Sequence, residues 1–100
     1  MKRLQVIPEA KAEAADAVEW LEQARPGLGQ EFRVALRALI MRLQPTEQHA
    51  VLEECGGYQV RSALLRRFKY RVIFLDLPDE VRVLAVMHTA RRPSYWRGRI

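Results

Sequence analysis

Residues 51–100 hold ten basic side chains, nine of them arginine: Arg61, Arg66, Arg67, Arg71, Arg82, Arg91, Arg92, Arg97 and Arg99, with Lys69 the tenth. The same half holds five acidic residues and so carries the whole net charge of +5, because residues 1–50 balance seven of each sign. A guanidinium presents a planar fork of donors that fits phosphate. A basic half in a small protein points to a polyanionic partner, either nucleic acid or an acidic protein. Two further kinds of group stand among these cations. His88 exchanges protons near neutral pH. Tyr95 and Trp96 carry rings that either stack on bases or pack onto a sheet. Each has a plain alternative. Arg66, Arg67, Lys69 and Arg71 also read as a solvated face, and a histidine at a strand end as a hydrogen-bonded structural residue.

Other chemistries find little support. Cys55 is the only cysteine, so no internal disulfide can form, and only His49 lies near it in sequence as an activating base. His49, His88 and Cys55 are too scattered for a zinc site. No metal or cofactor is expected. Glu53 and Glu54 offer a general base from a loop, against the plainer reading of a solvated loop. No apolar run approaches the roughly 20 residues that span a bilayer. Met1 to Pro8 has no secretory apolar core, so a cytoplasmic protein is expected. A length of 100 residues, 49% of them hydrophobic, allows one domain (1–100) with a core of its own.

The elements that must position these groups are legible from periodicity. Residues 3–7 read as a short edge strand. Pro8 suits the first turn of a helix, where its missing N–H costs nothing. Ala10, Ala14, Ala17, Val18 and Leu21 then recur at helical spacing, and the helix should end near Ala24. Trp20 is expected to pack within the helical hairpin. After the break at Arg25 to Gly29, a second helical face runs Phe32, Ala35, Leu36, Leu39, Ile40 and Leu43, ending before Pro45. Residues 45–57 read as a loop closing at Gly56-Gly57. Period-two runs follow at 58–65, 68–75 and 81–88, predicting a three-stranded antiparallel meander. The fold class is α+β, a helical hairpin covering one sheet face. Alternation turns Phe68, Tyr70, Val72 and Phe74 toward the helices. It leaves Lys69, Arg71, Ile73, Leu75, Leu84 and Val86 outward, joined by Arg61, Arg82 and His88 in the register considered. A face so apolar needs a partner or cover from the C-terminal tail.

Three segments carry a resemblance to a known family. They are Arg25-Pro26-Gly27-Leu28-Gly29-Gln30-Glu31-Phe32, then Val60 to Val72 (VRSALLRRFKYRV), then Val83 to His88 followed by Arg91-Arg92-Pro93-Ser94-Tyr95-Trp96 and Arg99. In that order they resemble the RelE/ParE superfamily of toxins from bacterial type II toxin–antitoxin systems, over nearly the whole chain. Lys69 stands where that family commonly has proline. The resemblance implies two helices on an antiparallel sheet of about four strands, and a toxin silenced by its cognate antitoxin. The antitoxin's C-terminal segment would add a helix or strand to the exposed surface, its acidic residues matching the basic half.

It also implies one of two targets. RelE-like members cut mRNA in the ribosomal A site without metal. That reaction needs proton donors and acceptors and cations at the scissile phosphate. Here the set would be Arg61, His88, Arg91 and Tyr95, with Arg67 adding charge, but the lysine pair of some members is reduced to Lys69. ParE-like members inhibit DNA gyrase and need only a binding surface. Arg66, Arg67, Lys69, Arg71, Arg92, Trp96 and Arg99 would supply it, as they would supply contacts to nucleic acid. The "PGLG" and "RF.Y.V" types favour gyrase. A third reading is a degenerate, non-toxic interaction module.

Overall fold

The computed structural model describes residues 2–92 and 94–100. Pro93, part of the third segment above, lies outside the described residues. In chain order the elements are β1 (Arg3–Val6), α1 (Pro8–Ala24), α2 (Leu28–Met41), β2 (Ala50–Cys55), β3 (Tyr58–Leu65), β4 (Tyr70–Asp76) and β5 (Glu80–His88). Two 3₁₀ turns, Thr46–Gln48 and Tyr95–Arg99, complete them. The strands form one sheet in the order β1-β5-β4-β3-β2. β1 runs parallel to β5, and every other pairing is antiparallel.

The helical hairpin is built by its link. Gly27 sits at φ 90°, the left-handed region that glycine enters freely. Glu22 turns back from α1, and its carboxylate accepts the Gly27 and Gly29 N–H groups at 2.9 and 3.0 Å. That pairs donors otherwise orphaned at the start of α2 and places a negative charge at its positive end. Gly29 is where the helices cross. A Cβ there would lie 2.6 Å from the Val18 carbonyl oxygen. Gly29→Ala must therefore push the helices apart, and a loss of about 1–3 kcal/mol in urea unfolding is expected. Phe32 then enters the core with no exposed surface, its ring edge-on to Phe68 and Tyr70.

Residues 45–57 are not all loop. Ala50–Cys55 is a fifth strand at the sheet edge, so the meander has four strands rather than three. Its pairing slips between Val51 and Glu53, and this bulge breaks the period-two signal. Gly56 and Gly57, at φ 59° and 84°, close the tight turn into β3.

The side of the sheet packed on the helices holds Phe68, Tyr70, Val72 and Phe74, as alternation predicts. The opposite side holds Ile73, Leu75 and Leu84, but Val86 is on the helix side. The cause is a second bulge. Ile73 pairs with Ala85 and Phe74 with Val83, so Leu84 has no partner and parity reverses beyond it. Ala85 and Met87 therefore join the outer face, and His88 turns inward, edge-on to Tyr70 at 5.2 Å. Arg61, opposite Phe74, is also on the helix side rather than the outer one.

The C-terminal 3₁₀ turn covers the outer face. Trp96, 2% exposed, packs with Val60, Ile73, Leu75, Leu84, Ala85 and Met87. It is a core residue and presents no free ring to a target. Arg97 straps the turn to β2 through both oxygens of Glu53, at 3.1 and 2.8 Å. Trp20 is the reverse correction: it leaves the hairpin packing and stands 69% exposed on α1. Among the described residues no helix is long and apolar enough to cross a membrane.

Candidate functional site

Of the four residues expected to form a ribonuclease set, Arg61 stands apart from the other three. Arg61 is buried at one end of the sheet. Its Nε donates to Asp76 at 3.3 Å, one Nη to the His49 carbonyl at 2.8 Å, and the other to Gln59. Asp76 also accepts from Thr46 Oγ1 at 2.7 Å and from the Lys2 ammonium. Partial burial pushes the Asp76 carboxyl up, but the bonds from Lys2 and Thr46 and the charges of Lys2 and Arg61 outweigh it. The net result is a carboxyl held below its ordinary value. Arg61 thus holds the loop before β2 against the end of β4.

His88 lies at the opposite end. It pairs with Tyr70, which pairs with Leu65, four residues beyond Arg61 along β3. At about 3.3 Å per residue that is roughly 13 Å of strand. One ion cluster cannot serve both.

The remaining two candidates meet at a residue that sequence reasoning missed. Glu13 of α1 leans over the open edge of β5, where β1 has already ended. Its carboxylate accepts the Val86 N–H at 3.1 Å, the Tyr95 hydroxyl at 2.6 Å and the Arg99 guanidinium at 2.8 and 3.3 Å. Arg91 adds a longer ion pair at 3.6 Å. Arg99 also donates to the Leu84 carbonyl at 2.9 Å. Side chains therefore satisfy the strand-edge groups exposed by the bulge. The Tyr95 ring lies between two guanidinium groups, 4.1 Å from that of Arg91 and 4.9 Å from that of Arg99. Burial, then the bond to Glu13, push the Tyr95 hydroxyl well above its usual value. The bond to Glu13 likewise raises Arg99. Tyr95 stays protonated, with its hydrogen committed to Glu13. In sequence Glu13 is marked only by its place in the first turns of a helix, where a carboxylate complements the helix dipole.

The other cations vary in freedom. Arg67 pairs with Glu31 and lies 4.8 Å from the Phe68 ring centroid, and Arg71 reaches Ser62 Oγ at 3.4 Å. Arg99 is committed to Glu13. Arg66, Lys69 and Arg92 are exposed and make no ion pair among the described residues. Lys69 sits in the β3–β4 turn at φ 60°, and its carbonyl accepts the Thr89 N–H at 2.9 Å, which sets the first residues of the tail beside that turn. Arg66, Lys69, Arg91 and Arg92 thus share one end of the sheet. No three His, Cys, Asp or Glu side chains converge as metal ligands among the described residues.

This arrangement is an α+β fold, a helical hairpin on one five-stranded sheet, with a basic, side-chain-strapped C-terminal tail. Residues 4–93 match the family described as ParE toxin of type II toxin–antitoxin system, parDE, and the chain belongs to that family within the RelE/ParE superfamily. A solved structure described as a chromosomal ParDE TA system from P. aeruginosa has the same fold. Its TM-score is 0.64 at 17% identity, covering 88% of this chain and 96% of that one. No curated protein matches this sequence.

Proposed function

We propose that this protein is the toxin of a type II pair, acting in the cytoplasm, and that when free of its antitoxin it arrests growth by inhibiting DNA gyrase. The supporting observation is the commitment of the ribonuclease candidates to structure. Arg61 is held in a buried ion pair, and the Tyr95 hydroxyl and Arg99 are spent on Glu13. That removes Arg61 and the Tyr95 hydroxyl from the expected set and leaves His88 and Arg91 without them, so binding is favoured over cutting. The inhibitory surface is the basic end formed by Arg66, Lys69, Arg91 and Arg92.

The cognate antitoxin has a surface ready for it. β2 is an open edge, and its Val51 and Leu52 are 45% and 46% exposed. An extended antitoxin segment added there would pair its backbone with β2 and cover both side chains.

The purified chain should inhibit gyrase supercoiling in vitro, and Arg91→Ala should weaken inhibition about tenfold, as for an arginine anchor at an interface. The alternative target is the ribosome, because His88 and Arg91 do face one pocket. Codon-phased cuts in primer extension of translated mRNA, with supercoiling unaffected, would replace gyrase with that target. Harmless expression without antitoxin would make the chain a degenerate interaction module.

A further inference from the structure

A cavity of about 290 Å³ opens between α1 and the His88 end of β5, close to the basic end of the sheet. Trp20, 69% exposed as a residue, forms one wall. Tyr70 and His88 form another, their rings edge-on. Tyr70 is 9% exposed as a residue, and among the described residues its hydroxyl is not one of the buried polar atoms without a partner, so it is open to the cavity. Burial pushes that hydroxyl up, so it remains a donor. His88 Nδ1 accepts the Ala90 N–H at 3.1 Å, which leaves the proton of the neutral ring on Nε2. Arg91 stands at the mouth, 56% exposed. Nothing in the ParE reading uses Trp20 or Tyr70.

We propose that this cavity binds a nucleotide, its base stacked on Trp20 and its edge met by the Tyr70 hydroxyl and His88 Nε2, with the phosphate against Arg91. An exposed indole beside unused hydrogen-bonding groups fits a base, because every base has a flat face and a polar edge. The volume suits one base, with the phosphate left outside. Asp16 on α1 lines the cavity as well and repels phosphate from that side, toward Arg91. Glu13 also lines the cavity, but its carboxylate is paired closely with Arg99, so Arg91, at the longer distance of 3.6 Å, is left to meet a phosphate. The nucleotide is either free or part of a single strand; the site shares Arg91 with the surface proposed to inhibit gyrase, and direct binding is read separately from supercoiling.

Isothermal titration of the full chain with the four ribonucleoside monophosphates, a single-stranded DNA decamer and inorganic phosphate tests this. Binding of a monophosphate indicates a free nucleotide, and binding of the decamer alone indicates a strand. In either case Trp20→Ala should weaken binding about tenfold or more, the usual loss of one base–aromatic stack. Trp20 is exposed, so the fold should persist by circular dichroism. Tyr70→Phe keeps the packed ring and should weaken binding about fivefold. The site is refuted if none of these ligands binds at millimolar concentration, if phosphate alone binds as well as a nucleotide, or if both variants bind as the parent does.

Discussion

Asp76→Ala should lower the unfolding free energy by about 3–5 kcal/mol, the usual cost of leaving a buried charge without its partner. Arg61 and Asp76 have only 10% and 14% of their side-chain surface exposed. Without the carboxylate, the Arg61 guanidinium keeps neutral oxygens from His49 and Gln59 but no counter-charge. Thr46 and Lys2 lose their acceptor at the same time, so the loop before β2 and the N-terminal strand loosen together. Urea denaturation at neutral pH measures the loss. Acid supplies a second, independent readout. The Asp76 carboxyl is held below its ordinary value, so its contribution is fully present above about pH 4, where the unfolded chain is also ionised. That contribution fades as pH falls through the folded-state value. Asp76→Asn should therefore be less stable than the parent at pH 7, and the gap should narrow steadily below pH 4. A gap that is constant across this range would mean that Asp76 contributes by shape and not by charge.

Glu13→Ala should free the C-terminal tail. The substitution strips the acceptor from the Tyr95 hydroxyl, from Arg99 and from the Val86 N–H, and one ion-pair partner from Arg91. Arg99 has only 18% of its side chain exposed, so its charge would be left mostly desolvated. A loss of about 2–4 kcal/mol is expected, shared between those groups. The more telling change is local. Trypsin should cut after Arg97 and Arg99 about tenfold faster, because the turn carrying them opens without global unfolding. The Val86 amide should also exchange with solvent faster. Glu13→Gln retains an acceptor without the charge and should fall between the two. If the tail remains as protected in Glu13→Ala as in the parent, the burial of Trp96 alone holds it.

The outer face shows how a sequence reading both succeeds and fails on one strand. Strict alternation along Val81 to His88 assigns Leu84 correctly and Val86 and His88 wrongly, because a single unpaired residue reverses everything beyond it. Nothing in the local residue types marks the bulge. It forms from the packing of β5 between β4 and α1, and Glu13 completes it from 73 residues away by accepting the Val86 N–H. The edge strand β2 was hidden for a related reason. Its bulge removes the period, and an edge strand with three exposed leading residues resembles a loop in composition.

Trp20 left its expected place, and Trp96 took the sheet-packing one of its two readings, for another physical reason. A helix position is buried only if another element covers it, and α1 meets α2 through small residues, with Gly29 against Val18. That close crossing leaves Trp20 beyond the hairpin. Trp96 lies in a basic tail whose residue types fit either a target surface or cover for the sheet. Yet the sheet face beneath it carries Ile73, Leu75 and Leu84, and that ring is the largest side chain that packs on them.

What this sequence determined by itself was the α+β order of elements, the helical hairpin set by Pro8, Gly27 and Gly29, the helix-facing side of β4 and the family to which the chain belongs. These rest on local periodicity, on glycine's access to positive φ and on an ordered set of short motifs, all of which act over a few residues. Only the tertiary structure decided the partners of each charge. Arg61 met Asp76, and Glu13 met Arg91, Tyr95 and Arg99, across separations of 15 and 78 to 86 residues. An arginine's spacing records its charge but not what neutralises it, because that depends on which elements the fold brings within about 4 Å of one another.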